Sequence, residues 1–120
     1  MKAPIGKHMR VIALRVTQAY EYKGTGANRQ KTDTRQTTAA GAAMTRISGM
    51  AAVLGDELVD VTVEATDAQA EGVEPGQIVA LDGALVAEIR GGDFGSVRAT
   101  VTGVEAVKPL AIVTDVLNSI

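Results

Sequence analysis

Hydrophobic and polar residues alternate with a period of two along most of the chain, which is the pattern of a half-buried β-strand. The clearest case is Leu58–Thr66, where Val59, Val61 and Val63 alternate with acidic and threonine side chains. No window sustains an amphipathic helical repeat of 3.6 residues. The alternation therefore predicts an all-β chain, with one face of each strand in the core and the other in water.

Four more segments bring the number of predicted strands to five. These segments are residues 10–22, 44–54, 77–90 and 96–107. In the first of them, Ile12, Leu14 and Val16 share one face, which we interpret as the core face, while Arg15 points outward. Segment 44–54 is rich in Ala, Gly and Met, which are indifferent strand formers, so a helix is the alternative there. We predict a strand.

Glycine and proline mark the chain reversals between these strands. The sequence Val-Glu-Pro-Gly at 73–76 predicts a turn, since proline presets φ at the second turn position and glycine accepts the backbone conformations of the next one. Residues 91–95 are glycine-rich and predict the hairpin between the last two strands. Gly83 predicts a bend in the fourth strand. Residues 110–120 are partly apolar and predict a docked C-terminal extension, either a short helix or a sixth strand.

The segment 23–43, between the first two strands, is polar, charged and almost free of large apolar side chains. Loops beyond about 12–15 residues in a compact domain are usually functional or disordered. We interpret this segment as a long basic loop or extended ribbon that a partner orders. A chain of 120 residues supports one core, so the loop belongs to a single domain spanning residues 1–120.

Charge is distributed unevenly, although the net charge is only -2. Residues 1–46 carry nine basic side chains against two acidic ones, whereas residues 47–120 carry three against twelve. Such asymmetry indicates a polyanionic ligand or an acidic partner surface. The alternative is that folding interleaves the two halves and cancels the field.

The sequence contains few of the residues that enzyme active sites commonly use. The chain has no cysteine and a single histidine, His8, close to the N-terminus. Thiol nucleophiles, a Ser-His-Asp arrangement and His- or Cys-based metal sites are therefore not expected, and neither is a cofactor. The absence of cysteine and of a long apolar run favours a cytoplasmic protein that does not enter a membrane. We predict a non-catalytic protein.

The basic loop is the better candidate site, because cations and hydroxyl groups spaced along a ribbon suit phosphates. Phosphates are the predicted ligands of seven basic residues, and the few aromatic residues of the chain are the predicted stacking platforms for bases. The basic residues are Arg15, Lys23, Arg29, Lys31, Arg35, Arg46 and Arg98, and the aromatic residues are Tyr20, Tyr22 and Phe94.

The aromatic residues admit other roles. Tyr20 and Tyr22 continue the face of Ile12, Leu14 and Val16 along the first predicted strand, so they are equally compatible with the edge of the core. Phe94 stands between glycines at the predicted tip of the last hairpin, where an intermolecular contact is favoured over burial.

The order of elements resembles an OB-type five-stranded barrel with a long basic loop between strands 1 and 2. The short sequences MKAPI at 1–5, KTD at 31–33, VDVTV at 59–63, VEPGQ at 73–77 with 79–83, and GDFGS at 92–96 carry a further resemblance. Through them the chain is similar to small OB-fold single-stranded-DNA-binding-like proteins of actinobacterial plasmids, integrative elements and phages.

The resemblance implies sequence-tolerant binding of single-stranded DNA by a homo-oligomer, a dimer or larger, with DNA versus RNA left open. A rival hypothesis is a structural β-protein of a phage particle or similar assembly, in which residues 24–43 contact neighbouring subunits. The compartment would then be the virion.

Overall fold

The computed structural model of the chain describes residues 2–53, 57–91 and 97–112. These ranges contain seven β-strands, a short 3₁₀ turn at Gly26–Asn28 and a short helix, α1, at Asp67–Ala70. The strands are β1 (Lys2–Gln18), β2 (Tyr20–Lys23), β3 (Gln30–Arg35), β4 (Met44–Ala52), β5 (Leu58–Thr66), β6 (Gln77–Arg90) and β7 (Arg98–Ile112). The all-β prediction is confirmed.

Five of the strands close a barrel in the order β1, β4, β5, β7, β6, and β6 pairs back onto β1. All neighbours are antiparallel except β5 and β7, which are parallel. The fold is the predicted OB-type barrel. Strands β2 and β3 form a separate two-stranded sheet, inserted between the first and second strands of the barrel.

The barrel interior is filled by one or more fully buried aliphatic side chains from every barrel strand. Val11, Ile47, Val63, Leu81 and Val101 are all less than 2 % exposed, and they come from β1, β4, β5, β6 and β7 in turn. Branched side chains of this kind pack well on a pleated surface, which is why the alternating segments fold as strands. In β4 the alternation is complete from Thr45 to Ala51, so the strand prediction for this segment is confirmed and the helix alternative is wrong.

The predicted core face of the first strand is wrong at Ile12 and Leu14 but is confirmed at Val16, which is half-buried and packs against the core. Met9, Val11 and Ala13 are buried, whereas Leu14 is 56 % exposed. The cause is a β-bulge, because Ala13 pairs with Gly49 and Arg15 with Ser48, which leaves Leu14 without a partner on β4. The bulge lies just after the point where β1 changes partner from β6 to β4 at Ile12.

The first strand also begins and ends earlier than its predicted range, 10–22. It begins at Lys2, because the segment before Arg10 pairs with the end of β6, with register shifts around Gly6. It ends at Gln18, so Tyr20 and Tyr22 belong to the inserted sheet and not to the barrel.

The predicted turns are largely confirmed. The amide of Gln77 donates to the carbonyl of Glu74, and Gly76 at the third turn position has a φ of 91°. Gly83 has a φ of 142° and lies at a register shift between β6 and β7, as the predicted bend requires. The predicted hairpin at 91–95 lies mostly outside the described residues.

The last strand continues beyond its predicted end at 107. Residues 110–112 of the predicted C-terminal extension belong to β7, and the rest of that extension lies outside the described residues. No helix in the described part of the chain is long and apolar enough to span a membrane.

Candidate functional site

We call the inserted two-stranded sheet, residues 20–35, the ribbon. Its tip is a tight turn, in which the amide of Asn28 donates to the carbonyl of Thr25 and the amide of Arg29 donates to the carbonyl of Gly26. Gly24 begins this turn with a φ of 81°, and a Cβ there would lie 2.4 Å from the carbonyl oxygen of Asn28. Only glycine fits that position, so the tip has a defined shape.

The ribbon is joined to the barrel by a short run of backbone hydrogen bonds at its base. The amide of Ala19 donates to the carbonyl of Met44 at 3.0 Å, and the amide of Gln36 donates to the carbonyl of Ala19 at 2.8 Å. The amide of Met44 in turn donates to the carbonyl of Gln36 at 2.9 Å. Ala19 is buried, which fixes the point where the chain leaves the barrel.

Side chains reinforce this junction around one carboxylate. Asp67, at the start of α1, accepts a hydrogen bond from the guanidinium of Arg35 at 2.6 Å and from the hydroxyl of Thr45 at 2.7 Å. Arg35 also donates to the carbonyl of Met44. The hydroxyl of Thr45 lowers the pKa of Asp67, partial burial opposes the change, and Arg35 lowers the pKa further. We call this cluster the ribbon anchor.

The ribbon anchor predicts a local effect of Asp67→Asn. Loss of the charge should speed hydrogen exchange of the Gln36 and Met44 amides by about tenfold, while the amides of Val63 and Leu81 in the barrel stay protected. Because folding lowers the pKa of Asp67, acid should mimic the variant only as pH falls below the ordinary carboxyl value of 3.8. Exchange measured by NMR checks this.

A matched control for that experiment is Glu71→Gln, just after α1. Glu71 is exposed and makes no ion pair among the described residues, whereas the carboxylate of the ribbon anchor is held by Arg35 and Thr45. Equal exchange rates at the ribbon base in the two variants would contradict the role of Asp67.

One face of the ribbon carries tyrosine rings covered by cations. The guanidinium carbon of Arg29 lies 4.4 Å from the centroid of the Tyr22 ring, and the ammonium of Lys31 lies 4.3 Å from that of Tyr20. Tyr20 is half-buried and Tyr22 is 44 % exposed. Both belong to β2, outside the barrel sheet, so they do not continue the face of β1 as the alternative of a core role required. We call this surface the tyrosine–cation face.

An open polar pocket of about 610 Å³ lies beside the tip of the ribbon. Tyr22 and Arg29 line it together with Glu21, Gln36 and the backbone of the tip turn. The pocket thus places aromatic, cationic and amide groups on one surface.

A second open groove, of about 450 Å³, lies on the outside of the barrel. It is called the barrel groove, and its lining includes Leu14, Arg15, Ser48, Asp60, Thr62 and Arg98. Arg15 follows the β1 bulge, while Arg98 pairs in register with Asp60 across β5 and β7. The hydroxyl groups of Ser48 and Thr62 therefore lie between the strands that carry Arg15 and Arg98. The carboxylate of Asp60 lies beside them and can accept a hydrogen bond from an amino group of a ligand.

Arg46 connects the two surfaces. Its guanidinium donates to the side-chain carbonyl of Gln36, which lines the ribbon pocket, at 2.8 Å. On β4, Arg46 precedes Ser48 of the barrel groove by two residues, so both face outward from the same side of the strand. Arg46 therefore lies between Gln36 of the ribbon pocket and Ser48 of the barrel groove.

The predicted site residues divide into three groups. Five basic residues make no ion pair with any carboxylate of the described residues, and they are Arg15, Lys23, Arg29, Lys31 and Arg98. Arg35 and Arg46 are engaged within the chain, by Asp67 and Gln36. Phe94 lies outside the described residues, so its predicted stacking role has no structural counterpart here.

The sequence interpretation missed several polar residues that shape this surface. Gln36 and Asp67 position the ribbon, and Ser48 and Thr62 line the barrel groove. Only Asp67 had a local signal, because it follows Thr66 in a capping box that Gln69 completes. In the described part of the chain, no cluster of three or more His, Asp or Glu side chains could hold a metal ion.

Comparisons with protein-family models, with curated proteins and with solved structures found no match to this chain.

Proposed function

We propose that the protein is a non-catalytic, sequence-tolerant single-stranded nucleic-acid-binding protein. The observation that carries this proposal is the run of basic side chains along the ribbon and the barrel groove, Arg15, Lys23, Arg29, Lys31 and Arg98. None of them makes an ion pair with a carboxylate of the described residues. Exposed cations on a continuous surface bind a polyanion by releasing its counterions.

The fold supports a single strand as the ligand. OB-type barrels bind oligonucleotides on the face of their second and third strands, next to the loop between the first and second. Here those barrel strands are β4 and β5, which supply Ser48, Asp60 and Thr62 to the barrel groove, and the ribbon is that loop. Phosphate contacts carry no sequence information, so we expect little preference among sequences. The resemblance to single-stranded-DNA-binding proteins points the same way.

Salt dependence of binding is the first test of the proposal. For single strands, log K falls with log salt with a slope of about −0.7 per phosphate contacted. Seven contacts would give a fall of about 10³-fold between about 50 and 200 mM salt. Because Arg35 and Arg46 are engaged within the chain, we expect five contacts and a fall of about 10²-fold. Anisotropy of a labelled oligothymidine measures it.

The proposal would be contradicted by an affinity for oligothymidine that does not change with salt concentration, or by no binding at the lower salt concentration. The second candidate would then lead, a structural protein of a phage particle or similar assembly. It is favoured by the exposure of the ribbon, since every residue from Glu21 to Lys31 is exposed and free to reach a neighbouring subunit. Open-ended growth in size with protein concentration distinguishes that candidate from a monomer or dimer.

A further inference from the structure

The tyrosine–cation face points to a more specific binding mode, which rests on the proposed function. We propose that the ribbon binds the phosphodiester backbone and not the bases. In this mode the rings of Tyr20 and Tyr22 make cation–π contacts with Lys31 and Arg29, and these cations bind the phosphates. The bases would then make no stacking contact with the ribbon.

The register of the ribbon places these groups on one face. Tyr22 pairs with Lys31, and Tyr20 pairs with Arg35. Lys31 reaches diagonally to the ring of Tyr20, while Arg29, at the tip, covers the ring of Tyr22. Arg29 and Lys31 therefore each contact a different tyrosine ring.

These cation–π contacts reduce the entropic cost of binding a phosphate. Arg and Lys side chains lose much rotamer freedom when they are fixed by a ligand. Contact with a ring restricts Arg29 and Lys31 before any ligand arrives, so less freedom remains to be lost on contact with a phosphate. The backbone of Arg29 is also fixed, because its amide donates to the carbonyl of Gly26.

The same contacts oppose base stacking on these rings. Tyr20 has Lys31 at 4.3 Å and Arg35 at 5.7 Å from its ring centroid, and its hydroxyl donates to Gln18. A base that replaced Arg29 on Tyr22 would break the cation–π contact and would remove Arg29 from its phosphate. Arg29 and Lys31 are two residues apart on an extended chain, about 6.6 Å, so they can hold successive phosphates of one strand.

The test compares two ligands of equal length, an oligothymidine and an abasic oligodeoxynucleotide that has the same phosphates and no bases. Binding of wild type, Tyr22→Leu, Arg29→Ala and the double variant is measured by anisotropy at about 50 mM salt. We expect Tyr22→Leu to weaken binding of both ligands equally, by about two- to fivefold. In the Arg29→Ala background, Tyr22→Leu should have no further effect.

Tyr22→Phe is the conservative variant, and relative to Tyr22→Leu it should restore binding of both ligands, because a cation–π contact needs the ring and not the hydroxyl. If Tyr22 stacked on a base, Tyr22→Leu would weaken oligothymidine binding by about fivefold to more than a hundredfold and leave the abasic ligand unchanged. That result would overturn the inference and leave the proposed function intact. Failure of the wild type to bind either ligand would overturn the proposed function itself.

Discussion

Gly49→Ala should lower the free energy of unfolding by about 3 kcal/mol or more, which corresponds to a fall in Tm of roughly 10–15 °C. Gly49 is buried on β4, opposite the β1 bulge. A Cβ at this position would lie 1.8 Å from the carbonyl oxygen of Ile12 and 2.9 Å from its carbon. Backbone atoms cannot rotate away as a side chain can, so β1 and β4 would have to separate. Thermal unfolding followed by circular dichroism measures the loss.

Gly41→Ala is the control that separates steric clash from backbone strain. Gly41 has a φ of 89°, but a Cβ there would meet nothing within 4 Å. We expect that variant to cost only about 1–2 kcal/mol, the usual penalty for a left-handed non-glycine residue. If Gly49→Ala were no more destabilising than Gly41→Ala, the close approach of β1 and β4 would be wrong.

The third and fourth predicted strands coincide with β5 and β6, because period-two alternation and turn residues bound them. The turn before β6 could be predicted from Pro75 and Gly76 for the same reason. These features depend on local sequence, where steric preferences act directly.

The errors in β1 have a non-local cause. Its sequence alternates on both faces, since Ile12 and Leu14 are as apolar as Val11 and Ala13. Val11 and Ala13 face the core before the bulge at Leu14, and Val16 packs against it afterwards, so the bulge, which lies opposite Gly49 of β4, sets where the buried face changes. A single-residue change in register exchanges the two faces of a strand, so the sequence of β1 alone could not identify the buried one.

The candidate site was predicted in part. Exposed basic residues on a polar segment were identifiable from composition, and Lys23, Arg29 and Lys31 are exposed on the ribbon. The engagement of Arg35 by Asp67 was not identifiable, because α1 is distant in sequence and reaches the ribbon base only through the barrel. Composition locates charge along the chain, whereas tertiary structure decides which charges remain available.

Folding brings the two halves of the chain, with their opposite charges, together on the barrel. Arg46 of the first half pairs in register with Glu64 of the second. In the described part of the chain, the ribbon has no acidic strand beside it, because β2 and β3 pair only with each other. The ribbon carries four basic residues against two acidic ones, Glu21 and Asp33, so it keeps a net charge of +2 that would attract the proposed ligand.

Reversal of charge on the ribbon should then have the largest effect on binding. We expect Arg29→Glu combined with Lys31→Glu to weaken oligothymidine binding by about 10³-fold, because two charge-assisted contacts are lost. The slope of log K against log salt should become shallower by at least about 1.4, the share of two phosphates. Anisotropy titrations at several salt concentrations measure both quantities.

The matched control reverses Arg10 and Lys108, which lie together on the β1–β6–β7 side of the barrel, through their common partner Ala80. This variant has the same net charge as the ribbon variant. If binding depends on the ribbon, the control should lose only the small effect of net charge and keep nearly the wild-type slope. Equal losses in the two variants would mean that binding follows the overall charge of the protein, and the ribbon would then not be the site.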